Sequence, residues 1–330
     1  MSNSPSNGRS SAPILVPSPS NEANVRVFPD EWRAPLRVAD LASLAKARDL
    51  ALEYRILRVL TETDRMQARE FREESSRAKN RYRDMVPFCE NRVLLSDGSY
   101  INASYMKNFD QSNPKRFIAS QGPLTSTIGD HWDMVWTEGV RTILTIGKLA
   151  EGTTEKIALY WPTDKHEPVV VAGPTAMTVS LLEERAGEPE GLTTRVLEVV
   201  TKCGDKRTVI HHHFEAWPDH GAVPPSIMIL LASIVVADRG AVLVHCSAGV
   251  GRTGSVLAVA NCVENIQHQL NRSGGDLSAV TLSVLATVEQ LRDDRVHIVE
   301  RTWQYESVYQ AVIELASKFQ GGLSFLPPRP

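Results

Sequence analysis

The stretch Ala241-Val-Leu-Val-His245, followed at once by Cys246-Ser-Ala-Gly-Val-Gly-Arg-Thr-Gly254, decides how the rest of the chain is read. Ala241 to His245 is an apolar run of the kind that forms a buried strand, and Ser255 to Leu270 is an apolar helical stretch. A strand, a loop with three glycines and a helix in that order aim backbone N–H groups and a helix N-terminus at one point, which is the design of an anion site. Glycine richness alone is weak, but this loop also carries a cysteine at one rim and Arg252 six positions later. An anion at the centre would receive the loop amides and a bidentate guanidinium, with Cys246 in the same positive field. A thiolate beneath a bound phosphate is a nucleophile. The loop lacks the GxxxxGK[ST] pattern, so a nucleotide-binding reading loses to this one.

Outward from the loop, composition limits what the site serves. The chain has 330 residues, 42% of them hydrophobic and 23% charged, an ordinary soluble balance with enough length for a sizeable core. Its formal net charge of -3 argues against a broadly basic nucleic-acid binder, so any cationic site is local. No run approaches the roughly 18 apolar residues of a membrane span, and Met1 is followed by Ser, Asn, Pro and Gly rather than by a signal sequence, so a cytoplasmic setting is expected. Cys89, Cys203, Cys246 and Cys262 show no CxxC spacing, which gives neither a disulfide scaffold nor a thiolate zinc site. His211, His212 and His213 would alternate faces on a strand and could not easily chelate one ion, so no metal site is expected.

Residues 1–24, rich in Ser, Pro and Asn, read as a flexible tail, and 321–330 as a C-terminal tail. Leu36 to Leu60 has the period of an amphipathic helix, and the charged stretch Glu62 to Lys79 reads as its solvated continuation, so 25–78 is expected to pack as helices on a catalytic core spanning 79–320. Short strands are expected at Tyr100–Met106, Phe117–Ser120, Val140–Ile146, Lys156–Tyr160, in the 190s and at His211–Phe214, with a short helix at Asp130–Glu138. Two further helices fit Leu277–Leu291 and Trp303–Phe319. This order predicts an α/β fold, α+β-like in its segregation, with a central mixed β-sheet flanked by helices.

The run His245 to Gly254 resembles the active-site loop of the phosphotyrosine-specific, or classical, protein tyrosine phosphatases. Other segments resemble that family in family order from about 79 to 315. Lys79-Asn80-Arg81-Tyr82-Arg83-Asp84 is similar to its phosphotyrosine-recognition loop, and Trp217-Pro218-Asp219 to its mobile acid loop. Tyr100 to Ser104, Gln121 to Leu124 and Tyr160-Trp161-Pro162 resemble its structural motifs. The resemblance implies a highly twisted sheet and a two-step hydrolysis through phosphocysteine that uses no cofactor. It makes Cys246 the nucleophile, Arg252 the clamp on the phosphoryl oxygens, Asp219 the general acid and then base, and Thr253 the hydroxyl that stabilises the departing thiolate. Ser247, Ala248, Gly249, Val250 and Gly251 line the phosphate, His245 supports the loop, and Gly221 after His220 permits closure. Tyr82 stacks on the substrate ring, Asp84 accepts from the substrate backbone, and Glu151 and Lys156 orient Arg252 and contact the acid or phosphate. Arg292 matches a position that binds a second phosphate in some members.

Two departures from the family pattern stand out. The first of two glutamines, the one that orients the hydrolytic water, falls on Glu300, while the second is present as Gln304. A glutamate lacks the amide donor and brings charge near a dianion, which slows the second step unless Gln304 carries it. His131 stands where phenylalanine is usual before Trp132 and is expected to alter packing rather than chemistry. The expected partners are phosphotyrosine-containing proteins, met by a monomer in the cytosol or in a host cytosol after delivery, with docking through the N-terminal helices. The alternatives are a phosphotyrosine-binding pseudophosphatase and a scaffold with little turnover. A nucleophilic cysteine at position 246 also invites oxidative regulation.

Overall fold

The computed structural model describes residues 30–62, 74–109, 116–219 and 221–320. The two expected tails, His220 and most of the charged stretch after Glu62 lie outside the described residues. Nine strands form one mixed sheet: β1 (Arg92–Leu94), β2 (Tyr100–Met106), β3 (Phe117–Ser120), β4 (Thr142–Ile146), β5 (Val169–Val171), β6 (Met177–Ala186), β7 (Leu192–Thr201), β8 (Lys206–Phe214) and β9 (Val242–His245). Their order is β1-β2-β3-β9-β4-β8-β7-β6-β5. The four central strands β3, β9, β4 and β8 are parallel, and the flanking pairs are antiparallel.

Strand β9 reads as an unbroken apolar run because it is buried on both faces between parallel neighbours. Val242 and Val244 point into a core shared with the helices α4 (Pro225–Ala237), α5 (Gly251–Arg272) and α7 (Thr302–Gln320). Leu243 joins a second core on the opposite face with Ile118, Ile143 and Trp132. Trp132 belongs to the helix Ile128–Thr137, two residues longer at its start than the expected Asp130–Glu138. The phosphate-loop candidate therefore begins at the carboxyl end of a central parallel strand, the position where open α/β sheets bind ligands. Among the described residues no helix is long and apolar enough to cross a membrane.

Three expected elements differ. The single helix over Leu36–Leu60 is broken into a strand pair at Leu36–Arg37, a 3-10 turn, and two helices, α1 (Leu41–Ala47) and α2 (Leu50–Glu62). Arg48 is extended (φ -98°, ψ 142°), and the Asp49 carboxylate then accepts from Leu52 N–H at 2.9 Å, so a cap stands where periodicity suggested continuity. Lys156–Tyr160 is not a strand: its N–H groups at 156, 157 and 158 donate to the carbonyls of Leu149 and Pro123 instead of joining a ladder. Leu277–Leu291 is split: a 3-10 turn at Leu277–Ala279 precedes Thr281–Leu282, which pairs with Leu36–Arg37, and the α-helix begins only at Val284, as α6 (Val284–Arg292). In chain order the helices are thus α1, α2, α3 (Ile128–Thr137), α4, α5, α6 and α7, with single turns at Asp30–Arg33 and Glu74–Arg77.

Candidate active site

The loop leaving β9 lies directly on neighbouring backbone, and two glycines make this possible. Gly249 has φ +70°, and a Cβ there would sit 2.0 Å from the Ser120 carbonyl oxygen at the end of β3. A Cβ on Gly122 would lie 2.7 Å from the Cys246 carbonyl oxygen. The Gly122 N–H also donates to Ser247 O at 2.9 Å, so Gln121-Gly122 and the loop form one tight backbone layer. Within it Cys246 is 4% exposed, and the Gly249 N–H points at its sulfur with N···Sγ 3.3 Å. Helix α5 starts at Gly251, so its first-turn N–H groups face the same point.

Arg252 follows in the first turn of α5. Its guanidinium lies 3.6 Å from the Glu151 carboxylate and reaches the Pro218 carbonyl at 3.4 Å, which brings the residue before Asp219 to the Arg252 side chain. Gly147, at φ +120°, gives the guanidinium room, since a Cβ there would be 2.4 Å from Nη1. Glu151 is held from its other oxygen by Lys156 Nζ at 3.1 Å. Asp219 itself is exposed, in a segment anchored by Trp217, which is buried and donates through Nε1 to Gly221 O at 3.3 Å. Thr253 is fully buried, and its hydroxyl has no hydrogen-bond partner among the described residues.

The segment 79–84 is tied to the same place. Ser247 Oγ donates to Lys156 O at 3.0 Å, which leaves Tyr82 OH to donate to Ser247 Oγ at 2.9 Å. Arg81 donates to the carbonyls of Gly122, Pro123 and Glu155, and Gln121 exchanges hydrogen bonds with Arg81 N–H and Lys79 O. Asp84 lies in the exposed turn that follows. Behind the loop, His245 Nε2 lies 2.8 Å from Tyr160 OH and 2.9 Å from Thr145 Oγ1, while Nδ1 faces Cys246 O at 3.4 Å. Burial pushes the His245 pKa down to about 3, so the ring is neutral and Nε2 accepts from Tyr160 while Nδ1–H points at the loop carbonyl.

Sequence reading gave no role to Arg295, which is fully buried. It donates to Gly249 O at 2.8 Å and Ala248 O at 3.2 Å, and on its far side to Asn102 Oδ1 at 2.7 Å and Ser104 Oγ at 3.2 Å. Pulling the loop carbonyls outward turns the loop amides inward. Burial lowers the Arg295 pKa to about 10, and Tyr100 and Cys246 oppose that loss of charge. No local pattern marks it, because its acceptors lie far away in the chain. Such a geometry fits a phosphate monoester at a cysteine nucleophile.

The model for the protein-tyrosine phosphatase family matches residues 76–314. The chain belongs to the protein-tyrosine phosphatase family. It is 35% identical over 254 residues to human phosphatidylinositol phosphatase PTPRQ, covering 73% of this chain and 10% of that protein. It is 34% identical over 266 residues to mouse tyrosine-protein phosphatase non-receptor type 7, covering 77% of this chain and 66% of the other. Rat receptor-type tyrosine-protein phosphatase F is 31% identical over 258 residues, 74% of this chain and 12% of its own length. The aligned part thus spans from about a tenth to two thirds of these relatives.

As a protein-tyrosine phosphatase domain, the structure also locates the positions where the sequence departs from the family. Glu300 is half-exposed and pairs with Arg301 at 3.2 Å. Gln304 is 3% exposed, with its side chain against Gly251 and its Oε1 accepting from the N–H groups of Glu300 and Arg301. Arg292 is 3% exposed and donates inward to Thr61, Tyr54 and Val299, so it faces the protein interior rather than a second phosphate. His131 is buried in α3 with its ring 4.3 Å from that of Tyr160. Among the described residues no His, Cys, Asp and Glu side chains cluster to hold a metal ion.

Proposed function

We propose that the chain hydrolyses phosphotyrosine in proteins through a phosphocysteine intermediate. The observation that carries this reading is the buried Cys246 beneath a loop whose Gly249 N–H points at the sulfur, with Arg252 alongside. Cys246 Sγ attacks phosphorus as the bond to the tyrosyl oxygen breaks, and Asp219 gives that oxygen its proton. In the second step water attacks phosphorus, Asp219 takes the proton back, and the thiolate leaves with the Thr253 hydroxyl as donor. Loop amides of Ser247 to Gly251 and the Arg252 fork hold the equatorial oxygens, while Glu151 and Lys156 orient the fork. Tyr82 packs on the substrate ring and Asp84 takes the peptide backbone.

Turnover of a phosphotyrosyl peptide tests this. Cys246→Ser should abolish phosphate release, and Asp219→Asn should lower kcat on the peptide by about a hundredfold or more. Saturable binding with no phosphate release would instead establish a phosphotyrosine reader, the reading that Glu300 favours. Faster release from a phosphatidylinositol phosphate than from the peptide would replace the substrate class. The Arg301 partner of Glu300 offsets its charge and supports turnover over capture.

A further inference from the structure

Val299 is a buried β-branched residue in the left-handed region, at φ +54°. A valine there is strained, and the strain persists only where neighbours hold it. The neighbours are specific. Its N–H donates to the Val250 carbonyl of the phosphate loop at 3.0 Å. Its carbonyl accepts from Tyr54 OH at 2.8 Å and from Arg292 Nη2 at 3.2 Å, and Arg292 also donates to the Tyr54 oxygen at 3.3 Å. The other end of the same peptide unit is the Glu300 N–H, which donates to Gln304 Oε1 at 2.8 Å.

We infer that Tyr54 is a positioning residue for phosphocysteine hydrolysis, acting from a helix that lies before the 76–314 family match by fixing the Val299–Glu300 peptide and through it the Gln304 amide. This rests on the hydrolase reading above. With the carbonyl clamped on one side, the N–H must face Gln304 on the other. Two N–H donors then occupy Gln304 Oε1, which settles the orientation of the amide and turns Nε2 towards Gly251, where a Cβ would lie 2.5 Å from it. Nε2 is a donor and so is able to hold an attacking water by its oxygen beside the loop. Glu300 has no such donor. If the clamp is lost, Val299 relaxes, the peptide rotates and Oε1 is released. Helix α2 is itself locked to α7, because buried Glu53 accepts from Tyr305 OH and Tyr309 OH at 2.5 and 2.7 Å.

Tyr54→Phe removes one hydroxyl and tests the inference by rapid mixing with an aryl phosphate. The expected result is a fall in kcat of about fivefold or more, the scale of one lost hydrogen bond. Over the same substrate kcat/KM, which ends at phosphocysteine formation, should hold within about twofold, and a burst of phenol should grow. Amide hydrogen exchange at Glu300 should quicken. In a Val299→Gly background, where the left-handed conformation is free, the Tyr54→Phe loss should shrink. Equal falls in kcat and kcat/KM would show a merely structural role and overturn the inference, as would an undiminished loss in the glycine background. A native chain that releases no phenol would end the hydrolase reading and with it the catalytic part of the inference. Glu300 exchange would still judge the clamp, and unchanged exchange in Tyr54→Phe would overturn that too.

Discussion

Arg295 shows how a residue away from the reacting atoms shapes the site. Its planar fork reaches two loop carbonyls on one side and Asn102 and Ser104 on the other. A lysine keeps the charge but has one compact head and cannot span both sides. Arg295→Lys should therefore lower kcat/KM on an aryl phosphate by about a hundredfold, the order seen when oriented backbone donors are lost. It should also lower the melting temperature, and full activity in a folded variant would refute this role. Cys246, Arg252 and Asp219, on which the proposed mechanism rests, carry local signals in the sequence. Arg295 and Tyr54 do not, because what defines them is an acceptor between 46 and 245 positions away or a peptide conformation no residue type announces.

At the scale of elements, legibility followed the clarity of the period. Strands β2 and β3 have the expected bounds, and β9 differs by one residue. Helix α4 escaped notice because it is apolar all round and so has no periodic face, and its Ile and Val content suggests a strand equally well. The helix–strand layer behind the loop also stores an acid sensitivity. His131, His211 and His245 are buried around Tyr160, and burial holds all three pKa values below the ordinary imidazole value, with His245 at about 3 and His212 on the next strand position at about 4. Neutral in the fold and protonated when unfolded near pH 6.5, they contribute stability above that pH that is lost as pH falls through it towards 3. His131 Nε2 has no hydrogen-bond partner among the described residues. His131→Phe should therefore raise the melting temperature by the equivalent of about 1 kcal/mol and flatten its decline between pH 6.5 and 4. A steeper decline in the variant would contradict this.

At the scale of the molecule, residues before the family match belong to the core. Val38, Leu41, Tyr54 and Leu57 are all at most 2% exposed and sit in the same cluster as α4, α5 and α7. Deleting residues 30–62 should yield insoluble or molten protein rather than a trimmed catalytic unit. The milder Leu57→Ala should cost about 2–4 kcal/mol in denaturant unfolding. A soluble, active deletion variant would show that these helices merely rest on the domain. The expectation that they recruit a partner must then use their exposed faces, since the buried ones are already engaged.

The loop carbonyls at 248 and 249 are held by Arg295, and the amide beside Gly251 comes from Gln304, both later in the chain than Cys246. On the ribosome Cys246 is therefore made well before these supports. A nascent chain arrested near residue 290 carries the whole signature loop and yet lacks Arg295 and Gln304. Translation order thus acts as a safety catch, withholding the finished geometry of the Cys246 loop until helix α7 has been delivered and docked.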